Sequence, residues 1–493
     1  MSAATTLFEQ LCTDLAQSIA SGVLRPGTRL PSLRETSKTR RLSITTVKRA
    51  YQLLETQGLV EGRPKSGYFV RMRRNEPPEV CLAPRPAAPE GGDGDVSGIV
   101  LSTLKAITLR EAARFGSPYP DPTLFPWRRI HQRMGEVARR YSVWDPLDDI
   151  PPGRPDLIRE IARRHLHNGL DADPREIIVT VGATEAINLC LQAVAKAGDA
   201  IAVESPCYFG MLQAIERLGL RAIEIPASCS EGMDLEALEA VLAREPVAAC
   251  LSMPNFQNPL GFVMPEARKK AFVELARRHQ VPIIENGVYN ELYYGDAPPT
   301  TLKCHDSEGL VLFCGSFSKS LAAGVRVGWV MPGRWREQVE KLKFLNTAST
   351  SGISQMALAK YLVSDGWDYL LRGVRRTLEQ RRDIMRGMVQ RFFPAGTHCS
   401  MPQGGYLLWV EMPDAIDGLE LHRQALLQGI AIAPGRVFGI SERYRNCLRL
   451  NYSYETKAEM EAAFRRLADL VAAAMPGPCL PPPLSLPAAA AAQ

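Results

Sequence analysis

The chain reads as two unlike folded parts: a mainly helical N-terminal module ending in a small β-hairpin, then a long α/β domain on a large, mostly parallel sheet. Three observations predict this. Leu7, Leu11, Leu15 and Ile19 recur at helical spacing near the start. From about Ile177, short apolar runs alternate with amphipathic segments, as strands alternate with the helices that cover them. Between these regions, Glu76-Pro77-Pro78, Pro84-Arg85-Pro86 and Gly91-Gly92-Asp93-Gly94 follow neither period. For a chain of 493 residues this predicts a module over 1–73, a flexible linker over 74–105 and an α/β domain over 106–475. A disordered Pro- and Ala-rich tail is expected over 476–493.

Composition narrows the function classes. No apolar run reaches the ~18 residues that span a membrane. Met1 to Leu15 lacks the basic start and apolar core of a signal peptide, so a cytoplasmic protein is expected. The eleven cysteines show no C-x-x-C pair and the seven histidines no ligand spacing, so no metal is expected. Net charge is +6, yet residues 1–75 hold 13 Lys/Arg against 5 Asp/Glu. The positive excess therefore lies wholly in the first module. That suits contact with a polyanion, although a solvated basic face would read the same.

In the module, the helix carrying Leu7 to Ile19 is followed by the stretch Gly22 to Arg34, a turn that ends as a second helix begins. Ser43 is a natural N-cap for a third helix over Thr45–Gln57, with Val47, Ala50, Tyr51 and Leu54 as its apolar stripe. Ser43, Thr45, Thr46, Lys48 and Arg49 project from its first turns, the short hydroxyls and cations that suit a major groove. Leu59–Arg63 and Tyr68–Arg71 then form a hairpin around Pro64 to Gly67.

In the second part, strands are expected over Ile177–Val181, Ala200–Glu204, Arg221–Ile225, Ala248–Met253, Pro282–Glu285 and Leu310–Cys314. Helices are expected over Thr184–Lys196, Tyr208–Leu218, Leu235–Arg244 and Pro265–His279. Ligands of such sheets gather at the carboxyl ends of the strands, and the chemically suggestive residues fall there. Lys319 follows the run Leu310 to Phe313 in Ser316-Phe317-Ser318-Lys319, seven residues before Arg326. A lysine at the mouth of a buried strand, with hydroxyls before it and an arginine after, suits an aldehyde cofactor that bears a phosphate. The amine forms an imine while Ser316 and Arg326 hold the phosphate.

Gly182-Ala183-Thr184 opens a helix and can cradle a phosphate, although most such turns only start helices. Tyr208 can stack on a flat ring, and Asn258 and Tyr289 can donate to a ring oxygen. Arg449, inside the apolar strand Cys447 to Asn451, needs an anion. A substrate carboxylate and a protein Asp or Glu both qualify.

Residues 8–71 closely resemble the winged helix-turn-helix of GntR-type regulators. The matching pieces are Pro26-Gly-x-x-Leu-Pro-Ser-x-Arg34, Ser43-x-x-Thr-Val-x-x-Ala-Tyr51 and Ser66-Gly-Tyr-Phe-Val70. The resemblance implies a double-stranded DNA operator, with Arg34, Ser43, Thr45, Thr46 and Lys48 on phosphates or bases and Gly67 against the backbone. Ile44 departs from the pattern, because many relatives carry Arg there, so base preference does not transfer.

Residues 115–475 resemble the fold-type I, pyridoxal phosphate-dependent aminotransferases of classes I and II. The likeness rests on Asn258-Pro-Leu-Gly, Ser316-Phe-Ser-Lys319, Arg326-Val-Gly-Trp329, Gln403-Gly-Gly-Tyr406 and Arg449-Leu-Asn. It implies a large sheet domain with a smaller α+β domain, and a homodimer with its sites at the subunit boundary. It also implies pyridoxal 5′-phosphate as cofactor, held by Lys319 as an imine. Gly182, Ala183, Thr184, Ser316 and Arg326 would bind the phosphate, Tyr208 the ring face, Asn258 and Tyr289 the 3-oxygen, and Arg449 the substrate α-carboxylate. Together the halves resemble the MocR subfamily of GntR regulators.

Asn286 breaks the pattern. These enzymes place an Asp three residues before the tyrosine to keep the pyridine nitrogen protonated, and a neutral amide supplies no such charge. Glu285 is adjacent but should face the other side of its strand. Cofactor binding with slow proton removal at Cα is expected, unless a bound water or a shifted register restores protonation. The sequence thus predicts a regulator that senses the cofactor or an amino compound. A working aminotransferase with an accessory DNA module, and more weakly a cofactor-free dimerisation platform, are the alternatives.

Overall fold

The computed structural model describes residues 7–20, 24, 28–56, 59–63, 67–70, 98, 100, 101, 105, 113–141, 144–321, 323–364 and 366–475. The expected tail, nearly all of the expected linker, and the turn Pro64 to Ser66 lie outside these. The chain divides into two compact units, Met1–Pro77 and Pro78–Gln493.

The first unit packs three helices, α1 (Leu7–Ala20), α2 (Leu33–Arg40) and α3 (Ile44–Thr56), with an antiparallel hairpin of β1 (Val60–Arg63) and β2 (Gly67–Val70). A capping box of Ser32 and Glu35 starts α2. Val47, Ala50, Tyr51 and Leu54 are fully buried, as their spacing predicts, against Leu11, Leu15 and Ile19. Leu7 is 61% exposed, because α1 begins there and its first turn extends past the core. Helix α3 starts one residue before the predicted position, since Ser43 already accepts from the Thr46 N–H at 3.0 Å.

The second unit is built on an eight-stranded sheet in the order β3-β10-β9-β8-β7-β4-β5-β6. These strands are β3 (Ile178–Thr180), β4 (Ala200–Ser205), β5 (Arg221–Ser228), β6 (Gly232–Met233), β7 (Ala249–Ser252), β8 (Ile283–Asn286), β9 (Val311–Ser316) and β10 (Gly328–Met331). The pairs joining β9, β8, β7, β4 and β5 are parallel. Strand β10 runs antiparallel between β3 and β9, a reversal the alternating pattern did not disclose. The period of two shows at the centre of the sheet: Ile284 and Leu312 enter one core cluster, Ile283 and Val311 the other. Helices cover both clusters.

A smaller four-stranded antiparallel sheet has the order β11-β12-β14-β13, formed by His398–Cys399, Leu407–Glu411, Cys447–Asn451 and Ala433–Pro434. The helices Gly418–Leu427 and Ala458–Ala473 belong to this part of the chain. Segment 113–121 reaches into it. Ala113 bridges to Ile430, and Gly116 N–H donates to the Ala431 carbonyl at 2.7 Å. A Cβ on Gly116 would lie 2.6 Å from the Ile432 backbone, so only glycine permits this approach. Among the described residues, no helix is long and apolar enough to cross a membrane.

Candidate functional site

The ends of the parallel strands converge. After β3 the chain turns at Gly182 (φ +80°), which caps the helix Ala183–Val194 without any side-chain hydrogen bond. The first amides of a helix have no partner within it, so Gly182, Ala183 and Thr184 leave donors at a positive helix end. A Cβ at Gly182 would lie 3.0 Å from the Arg326 guanidinium. Arg326 donates to the Val181 carbonyl at 3.1 Å and to Ser318 Oγ at 3.4 Å. Ser316 Oγ donates to Ser318 Oγ at 2.9 Å and to the Val327 carbonyl at 3.1 Å. Arg326 is exposed to solvent and, among the described residues, pairs with no carboxylate, so a guanidinium and a helix N-terminus together face any anion that binds there. Ser318 is the residue sequence reasoning missed. It stands between Ser316 and Arg326, and its place in Ser-x-Ser-Lys was the available signal.

Lys319 follows directly. Its Nζ donates to the Pro118 carbonyl at 2.8 Å and lies 4.5 Å from the centre of the Tyr119 ring. Burial, with the charges of Arg449 and Arg326, pushes its pKa from 10.5 down to about 7. A large share of this amine is therefore neutral, and nucleophilic, at physiological pH. Capture of pyridoxal phosphate should rise with pH to a plateau, half-maximal near 7, and stopped-flow absorbance across pH 5–10 checks this. A midpoint above 9 would mean that the amine is not held in this environment.

Tyr208 precedes the helix Phe209–Arg217, and its electrostatic neighbours include Tyr289, Tyr119, Arg449 and Arg326. Desolvation raises its pKa and keeps the phenol neutral. Tyr289 is buried, its ring meets that of Tyr406 edge-on with centroids 5.4 Å apart, and burial raises its pKa. Asn258 and Asn286 are both buried, and the Oδ1 of each lacks a partner. Asn286 shares a face of β8 with Ile284. Glu285 points to the opposite side, as alternation predicts, and accepts from the Leu302 and Lys303 N–H groups at 3.1 and 3.0 Å. Burial outweighs these bonds and raises the Glu285 pKa to about 7. Its carboxyl is committed elsewhere and cannot serve in place of Asn286.

Arg449 sits at the centre of β14, opposite Trp409 and Ala433, and is fully buried. Its Nη2 donates to the Gly116 carbonyl at 2.6 Å, while Nε and Nη1 have no partner. Its ion-pair alternative finds no support: no described Asp or Glu bonds to it. Asn451, two residues on, donates Nδ2 to the Ser117 and Tyr119 carbonyls at 2.9 and 2.8 Å. Tyr406 donates to the Pro118 carbonyl at 2.9 Å. The carbonyls of segment 116–119 thus accept from four side chains, two of which are Lys319 and Arg449.

In the first unit Arg34, Thr45, Lys48 and Gly67 are exposed. Ser43 and Thr46 hydroxyls bond each other at 2.7 Å, and Arg49 lies over the Phe8 ring at 4.6 Å. Gly67 has φ +97°, with Arg29 3.3 Å from where a Cβ would stand.

A guanidinium beside free helix amides, a depressed lysine and orphaned buried amides fit a phosphorylated aldehyde. Fold and site define a pyridoxal phosphate-binding domain joined to a DNA-binding module. The family model for aminotransferase class I and II matches residues 150–467, and that for bacterial regulatory proteins of the gntR family matches residues 7–70. The uncharacterized HTH-type transcriptional regulator YdcR of Escherichia coli (strain K12) is 38% identical, over 94% of this chain and 98% of its own length. The 2-aminoadipate transaminase of Thermus thermophilus is 30% identical, over 76% of this chain and 94% of its own. A crystal structure of LysN, the alpha-aminoadipate aminotransferase of that organism complexed with N-(5'-phosphopyridoxyl)-L-leucine, is 27% identical. It covers 77% of this chain and 97% of its own, with a TM-score of 0.70. The chain belongs to the class I and II aminotransferase family, in the form fused behind a gntR-family DNA-binding region.

Proposed function

We propose that this protein is a cytoplasmic, homodimeric transcription regulator whose aminotransferase-like domain senses pyridoxal phosphate or an amino compound reacting with it. One observation carries the reading. The carbonyls of segment 116–118 hold both the Lys319 amine and the Arg449 guanidinium, and in sequence that segment leads directly from the linker. The two groups that would meet cofactor and effector are thus tied to the stretch of chain that continues into the DNA module.

In this reading Lys319 holds the cofactor's aldehyde covalently. Gly182, Ala183, Thr184, Ser316 and Arg326 hold its phosphate, with Ser318 completing the set. Tyr208 covers the ring, Asn258 and Tyr289 bond its 3-oxygen, and Arg449 takes an effector carboxylate through its two unpartnered nitrogens. When bound, the cofactor supplies an electrophilic carbon and an electron-withdrawing ring. Asn286 faces the ring nitrogen with an amide and withholds the negative charge that would keep it protonated. That favours recognition over turnover. A two-fold protein suits a palindromic operator.

The test is the affinity of the full chain for a selected DNA duplex, measured by fluorescence anisotropy without cofactor, with it, and with amino acids added. A coupling of about 1–3 kcal/mol is expected, roughly a 5- to 150-fold change. Arg449→Ala should abolish the amino acid response and keep the cofactor response. Identical DNA binding in every state would remove the sensor reading, and sustained transamination at about 1 s⁻¹ or more would favour the enzyme. For the DNA contact itself, Lys48→Ala and Arg34→Ala should each lower the slope of log affinity against log salt by about 0.9. An unchanged slope would place that residue outside the interface.

A further inference from the structure

We infer that Ile44 reads a thymine of the operator through the 5-methyl group of that base. The inward face of α3, Val47, Ala50, Tyr51 and Leu54, is consumed by the module's core. At its N-terminal end the hydroxyls of Ser43 and Thr46 bond each other, and Ser43 also caps the Thr46 N–H. Arg49 is drawn back over Phe8 on α1. The side chains left facing outward there are Ile44, Thr45 and Lys48, and Ile44 and Lys48 stand one turn apart on the same face.

Ile44 is 49% exposed. Scattered exposed apolar residues are ordinary, but this one is the first residue of the helix whose N-terminal end enters the groove in such modules. It contributes nothing to the core cluster, and its neighbours are hydroxyls and cations. Base edges in the major groove offer hydrogen-bonding atoms and one apolar feature, the thymine 5-methyl. A branched aliphatic side chain complements that feature alone. Lys48, on the same face, is placed for the phosphate backbone, which carries no sequence information.

The test uses the full-length protein. Duplexes selected from a random pool by the wild-type chain should share a thymine in each half-site that selection by Ile44→Ala does not retain. Replacing that thymine by uracil removes only the methyl group. It should weaken wild-type binding about fourfold, the value of one buried methyl-sized group, and leave Ile44→Ala unaffected. Ile44→Arg should prefer guanine at the same position. Because residue 44 is exposed at a helix end, these variants should keep the fold, and the salt slope of Ile44→Ala should match the wild type. No shared thymine, an equal affinity of wild type for the uracil duplex, or an equal uracil loss in Ile44→Ala overturns the inference.

Discussion

Lys319→Ala protein saturated with pyridoxal phosphate should lack the absorbance near the visible edge that the wild type shows, and borohydride should leave no adduct at residue 319. The effect is complete rather than graded, because the nucleophile itself is gone. Wild-type Lys319 combines an enclosed position, a pKa near 7 and two cationic neighbours, Arg449 and Arg326, so its amine is available without a separate base. The Gly182 turn, Ser318 and Arg326 are untouched by the substitution and should still hold the phosphate reversibly. Peptide mapping after borohydride treatment therefore separates covalent capture from simple binding. A wild-type protein that stays colourless and untrapped would leave only the DNA-binding role.

Asn286→Asp should accelerate single-turnover conversion of the bound cofactor to its amine form by about tenfold or more. A carboxylate placed against a ring nitrogen shifts its pKa by about 1–3 units toward the protonated form, and each unit is worth about 1.4 kcal/mol. The position is buried, and the present amide oxygen has no partner, so the new charge would face the ring without competition. The cofactor band should remain, since Lys319 and the phosphate cradle do not change. An unaltered rate with the band intact would show that Asn286 is not what limits the chemistry.

Much of this was legible in the sequence. The apolar stripe of α3 and the alternation from β3 to β9 follow from spacing alone, because burial on one face imposes a period on the residues. Lys319 and the Gly182 turn could be picked out because one follows a strand and the other opens a helix, and Arg326 by its spacing from Lys319. The antiparallel β10 could not, since a strand buried on both faces reads alike in either direction. Nor could the docking of segment 113–121, much of which rests on backbone carbonyls that any residue presents. Ser43 is exposed and Thr46 partly buried, and side-chain type does not disclose that their hydroxyls bond each other. Leu7 fits the helical period and still lies outside the core, because periodicity gives a direction and not a depth.

The anchorage of segment 116–119 limits how a signal leaves the cofactor site. Asn451 and Tyr406 grip this stretch through the carbonyls of Ser117, Pro118 and Tyr119, and neither is asked to meet a ligand. Diverting Lys319 and Arg449 therefore relaxes two of its tethers and spares the others. The stretch would tilt or tighten about a fixed pivot and would not detach.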